Sequence, residues 1–130
     1  MKFFINEFIS ILLTFFIYFL GGFDIALKSL LIVIIIDYIT GLISAFYRKK
    51  LNSKVGFKGI IKKFCYICVV GLSVALDNLC NTSGVIRTIV IYFFVANDGL
   101  SILENLGKIG IKFPKKLIQS LEQLKNESED

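Results

Sequence analysis

The sequence predicts an all-α integral membrane protein. It has about four transmembrane helices, both termini cytoplasmic, and a short amphipathic helix at the carboxyl end. Three observations lead there. Between Tyr47 and Phe64 stand seven basic residues and no acidic one, Arg48, Lys49, Lys50, Lys54, Lys58, Lys62 and Lys63, with almost wholly apolar sequence on both sides. The composition is 55% hydrophobic with 13 Phe, one Pro and no Trp, at a mean hydropathy of +0.75. A chain of 130 residues cannot hide that much apolar surface in one small soluble core. Finally, the apolar residues gather into stretches long enough to cross a hydrocarbon layer as helices.

The first stretch, residues 3–20, holds Glu7 near its start and is followed by Gly21-Gly22 and Asp24. Lys2 before an apolar run invites comparison with a secretory signal. Such a signal has an apolar region of only ~7 to 15 residues and a small-residue cleavage site, whereas this run is longer and bulky up to the glycines, so an uncleaved helix is expected. The second, about residues 27–47, contains the 19-residue segment Ser29 to Tyr47, whose only charge is Asp37. On an insertion scale a central Leu, Ile, Val or Phe contributes ~0.3 to 0.6 kcal/mol and a central Asp costs ~2.5 to 3.5. The eleven such residues of this segment therefore outweigh Asp37, and it should insert unaided.

The basic stretch 48–63 reads as a cytoplasmic loop, since short loops rich in Lys and Arg are retained on the inner side. A third helix, about 62–80, carries Asp77, and a fourth, about 85–106, must carry Arg87, Asn97, Asp98 and Glu104. The same arithmetic comes out near zero for the fourth, so its insertion depends on Arg87 reaching an interface and on partners for the acids. Parity supports it as a crossing. With the basic loop inside, four passes bring Lys108, Lys112, Lys115 and Lys116 inside, whereas three would leave them outside; Gly21 to Asp24 and Asn78 to Gly84 then face outward. Residues 1–107 form the membrane domain and 108–130 a cytoplasmic tail. In the tail, Leu117, Ile118, Leu121 and Leu124 recur on one helical face after Pro114, before a frayed acidic end of Glu127, Ser128, Glu129 and Asp130.

Several function classes lose support. The net charge of +5 lies where membrane orientation explains it, so nucleic acid is not an expected partner. Without histidine, the commonest general base and metal ligand are missing, and neither an enzyme nor a cofactor is expected. Cys65 and Cys68 form a CxxC, but no second ligand pair exists and Cys80 is far along the helix. The expectation is small hydrophobes packing in the bundle with Gly71 and Ala75.

The candidate functional residues are the polar ones inside the spans, because charge at membrane depth faces a bundle interior or water. Asp37, Thr40, Gly41 and Ser44 fall on one face of the second helix and suit close helix contact, with Asp77 on the third as a further packing residue. Asn97, Ser101, Glu104, Asn105 and Lys108 share a stripe on the fourth helix, with Asp98 at its edge. Two readings stay open: pairing inside a single bundle, Asp77 with Arg87 or Asp98 with a lysine, and a lining for a pore or subunit interface.

The ordered series Asp37-Tyr38-Ile39-Thr40-Gly41, Asn52-Ser53-Lys54-Val55-Gly56-Phe57-Lys58-Gly59-Ile60-Ile61-Lys62-Lys63, Asp77, Asn97-Asp98-Gly99-Leu100-Ser101-Ile102-Leu103-Glu104-Asn105 and Gly110-Ile111-Lys112-Phe113-Pro114 resembles the phage holin family that includes clostridial toxin-secretion holins. The likeness covers about residues 28 to 118, departing at Asp98, where the family more often has Glu. It implies a small protein of the bacterial cytoplasmic membrane that self-associates and opens lesions for a cell-wall hydrolase or a large secreted toxin, with no catalysis. Two other readings of the residues remain: a small ion or solute channel or transporter subunit with Asp37, Asp77 and Asp98 along its path, and a membrane adaptor that recruits a partner through its basic loop and tail.

Overall fold

A computed structural model describes residues 1–129. It is all helical: α1 (Lys2–Phe19), α2 (Ile25–Tyr47), α3 (Ser53–Cys80), α4 (Val85–Gly107) and α5 (Lys115–Glu129). The first four are long and apolar enough to cross a membrane, as the sequence predicts. At 1.5 Å per residue they run roughly 27, 35, 42 and 35 Å, against a hydrocarbon core of about 30 Å.

Their ends follow from local chemistry. Asp24 caps α2 by accepting the Leu27 N–H at 3.0 Å, and Asn52 caps α3 by accepting that of Val55 at 2.9 Å. The second cap corrects an expectation. The basic stretch is not a loop over 48–63; only residues 48–52 connect α2 to α3, and Lys54, Lys58, Lys62 and Lys63 ride on the first three turns of α3. Lysine is a good helix former and glycine a poor one, and Gly56 and Gly59 stand in this helix because α2 needs them small: a Cβ on Gly59 would lie 3.2 Å from the Tyr38 ring.

Helix α4 is the hub, packed against α2, α3 and α5, whereas α2 and α3 touch each other little. The apolar core gathers Leu20, Leu27, Leu30, Val70 and Ile91. No residue of α1 is buried; its end meets the bundle where the Phe19 ring occupies the space a side chain at Gly71 would take. The connections define two ends, a basic end holding residues 48–52 and Lys108, and an opposite end holding residues 20–24 and 81–84.

The tail also differs from expectation. Rather than standing apart, α5 folds back along α4, with Leu121 so close that a Cβ on Gly99 would lie 2.7 Å from it, and Lys125 over the Phe93 ring at 5.9 Å. It stays helical through Glu129, so Glu127, Ser128 and Glu129 are not frayed, and Asp130 lies outside the described residues.

Candidate functional site

Helix α3 buries a stripe of Tyr66, Val70, Ser73 and Asp77, and the same spacing continued one turn back arrives at Lys63. That geometry carries the Lys63 ammonium inward. It pairs with Asp37 of α2 and, at 2.9 Å, with Asp98 of α4, so one cation joins three helices. Asn105 on α4 donates to Asp37 Oδ1 at 3.2 Å and to the Thr40 hydroxyl at 3.1 Å, tying the acid face of α2 to the stripe of α4. Around it, the Lys63 ammonium lies 4.9 Å from the centre of the Tyr66 ring, which stacks on Phe94, and the Tyr66 hydroxyl accepts from Asn97 at 3.2 Å.

The sequence named most of these groups, and a lysine as a partner for Asp98, but not which lysine. Lys63 reads as the last of the topology-setting lysines, and the signal that singles it out is its register with the buried face of α3. Two carboxyl groups share one ammonium. Asp98 is 1% exposed, and its Oδ1 is buried without a hydrogen-bond partner. Ser44 is buried beside this cluster on the same face of α2, and a Cβ on Gly41 would lie 3.6 Å from the Asn105 amide nitrogen. Ser101 is half-buried. Glu104 points out, exposed, with the exposed Lys108 at 3.5 Å, and this pair stands apart from the other stripe residues.

A second network closes the opposite end. The Arg87 guanidinium donates to the Leu20 carbonyl at 2.7 Å, the Gly22 carbonyl at 3.1 Å and both Asp24 oxygens at 2.7 and 3.1 Å. Hydrogen bonding to Arg87, before any other cause, holds the Asp24 carboxyl below the ordinary carboxylate range. Asp77 does not pair with that guanidinium. It accepts the backbone N–H groups of Ile86 at 2.9 Å and Arg87 at 2.8 Å, and the Thr82 hydroxyl. Gly84 at the start of α4 has no side chain to cap it, so Asp77 serves as the cap from the end of α3. The sequence identifies Arg87 and Asp77 but misses Asp24, although parity puts all three at one end.

All three cysteines are free, and Cys65 and Cys68 depart from expectation by lying exposed on α3 rather than inside the bundle. Among the described residues no group of three or more His, Cys, Asp or Glu side chains is arranged to hold a metal ion.

These features define a small multi-pass membrane protein whose spans are held together by buried ion networks. The comparisons with known proteins place it more closely. The model of the bacteriophage holin family matches residues 14–126, and the chain belongs to that family. It is 42% identical over 114 residues to an uncharacterised 14.9 kDa protein of the nagH 3' region of Clostridium perfringens, covering 87% of this chain and 86% of that one. It is 38% identical over 113 residues to the uncharacterised protein YqxH of Bacillus subtilis, covering 87% and 80%. To a probable holin of Bacillus phage phi105 it is 35% identical over 103 residues, covering 79% and 76%. No solved structure matches it. Family membership and four apolar helices make it a multi-pass protein of the bacterial cytoplasmic membrane, and the family points to a non-enzymatic role.

Proposed function

We propose that this chain is a working holin, which accumulates in the cytoplasmic membrane, self-assembles and opens lesions large enough to release a cell-wall hydrolase or a large protein toxin. The observation that carries this reading is the holin-family match across residues 14–126 on a chain whose four candidate spans fill most of its length. The amino terminus and the connection from α4 to α5 lie on the cytoplasmic side, which the lysines of the basic end favour, and α5 docks back along α4 from there.

Before assembly, Asp37, Thr40, Gly41 and Ser44 face α4 of the same chain, and Asn97, Asp98 and Asn105 are satisfied against them. During assembly these pairs are exchanged for equivalents on neighbouring copies. A polar set that one bundle hides then lines a subunit interface or a water-filled opening, with Ser101 and Glu104 beside it. Two features support the exchange: α2 and α3 are loosely joined, and α1 is left without buried residues.

The test is induced expression in a bacterial host together with a cell-wall hydrolase lacking a secretion signal, following turbidity and hydrolase release. Sharp, delayed lysis that requires both proteins is the expected result. Ion leakage with the hydrolase retained would replace this reading with a selective channel, and intact cells throughout would replace it with a membrane adaptor.

A further inference from the structure

Two cavities meet at Tyr38 and Lys63, one polar and one apolar. The polar one, about 280 Å³, opens at the basic end between α2, α3 and α4. Arg48, Lys62, Lys63 and Lys108 stand around it against a single acid, Asp37, and Ser44 and Asn105 add a hydroxyl and an amide. Lys63 is held by Asp37 and Asp98, and Lys108 by Glu104. Arg48 and Lys62 have no acidic partner among the described residues, so their charge is free for an anion.

The apolar cavity, about 540 Å³, is the gap between α2 and α3, walled by Leu31, Ile34, Ile39, Ile60, Phe64 and Ile67. It exists because Tyr38, seated against Gly56 and Gly59, wedges the two helices apart where they otherwise barely touch. From Tyr38 it follows α2 to Leu31, roughly 10 Å further into the membrane at 1.5 Å per residue.

We propose that one anionic glycerophospholipid binds here, its phosphate held by Arg48 and Lys62 in the polar cavity and an acyl chain laid between α2 and α3. The two halves call for a single amphiphile. A dissolved anion would use the cationic cup and leave the apolar gap empty, and a neutral lipid would fill the gap without engaging the cations. Basic recesses between spans on the cytoplasmic side are suited to anionic headgroups, and the lysine-rich end of this bundle faces that leaflet in the orientation proposed above.

Native mass spectrometry of the full chain in detergent micelles tests this, with phosphatidylglycerol or phosphatidylcholine added. The chain should retain one phosphatidylglycerol about thirty-fold more readily than phosphatidylcholine, the effect of two cations near a membrane surface. The double variant Arg48→Ala/Lys62→Ala should retain the two lipids alike. Ile60→Trp fills the gap while leaving both cations in place, and should release phosphatidylglycerol with helix content unchanged by circular dichroism. Excess inorganic phosphate should not displace the lipid. Equal retention of both lipids by the unaltered chain would overturn the proposal, as would a preference surviving in the double variant. Displacement by phosphate would reduce the site to an anion cup, and a lipid-free dimer would show that a second copy fills the gap.

Discussion

Asp77 and Arg87 meet through the backbone and not through their charges: the Asp77 carboxylate accepts the Arg87 N–H at 2.8 Å, while the Arg87 guanidinium reaches across to Asp24 at 2.7 Å. One residue thus fastens α4 to α3 by its main chain and to the α1–α2 turn by its side chain. Replacing Asp77 by Ala leaves the Ile86 and Arg87 donors without acceptors at a helix start where Gly84 offers none. Thermal unfolding in detergent should shift down by several degrees for Asp77→Ala and by less for Asp77→Asn, which keeps a carbonyl acceptor. Equal midpoints for all three proteins would mean the cap contributes nothing.

Gly21 makes the guanidinium's position possible. Its φ is +87°, and a Cβ there would lie 2.6 Å from Arg87 Nε. Gly21→Ala therefore combines a left-handed backbone cost with eviction of a buried arginine, and should destabilise the bundle by about 2 to 4 kcal/mol. Gly22, also at positive φ, has open space around it, so Gly22→Ala carries the backbone cost alone. Comparing the two variants in a denaturant titration separates strain from collision, and Gly21→Ala should be clearly the weaker protein.

The Asp24–Arg87 pair makes part of the stability pH dependent. Asp24 holds its proton less readily when folded than when unfolded, because Arg87 hydrogen-bonds to the charged form. The pair's contribution is fully present above the ordinary carboxylate value and disappears as pH falls through the lower folded value. Asp24 is 51% exposed at its side chain, so solvent screens the pair and the effect stays below about 1 kcal/mol. The stability gap between the unaltered chain and Asp24→Asn should be widest at neutral pH and close on acidification below about pH 4. A gap that stays constant down to pH 3 would remove the pair from the account.

How far the fold was legible depended on which signal each element carries. Apolar runs marked four spans, and the boundaries of α2 and α4 fell within about two residues of expectation, because hydropathy over a span is a sum that tertiary contacts barely alter. The start of α3 was missed by nine residues. Charge density said loop, whereas local helix propensity with the Asn52 cap said helix, and a long helix leaving the membrane satisfies both. The same confusion hid Lys63, whose meaning depends on helical register and not on the charge of its neighbours. The return of α5 onto α4 was invisible because it turns on one close approach, Leu121 against Gly99, that no periodicity announces.

Orientation can be read from the protein's own cysteines. Cys80 is exposed at the end opposite the lysines, while Cys65 and Cys68 face outward from α3 roughly 22 and 18 Å further along it. A thiol reagent unable to cross membranes should label intact cells at Cys80 alone, giving one label per chain, and none after Cys80→Ser. Labelling of Cys80 only after the cells are opened would invert the proposed topology.

The cation at the centre of the bundle allows structural and functional roles to be separated. Lys63→Met leaves Asp37 and Asp98 buried without a counter-charge, and breaking a buried ion cluster by removing one partner costs about 3 to 5 kcal/mol. The single variant should therefore fail to accumulate in the membrane. Adding Asp37→Asn and Asp98→Asn removes the stranded charges while keeping a side-chain carbonyl at position 37 to accept from Asn105, so the triple variant should accumulate at close to the normal level. The hydrolase-release assay then asks what the ions are for. If the charges are exchanged between copies as assembly proceeds, the triple variant inserts, stays folded and does not lyse the host. Lysis on the normal schedule would mean that Lys63, Asp37 and Asp98 only hold one chain together, and would move the lesion-forming role to α1 or to the Glu104 side of α4.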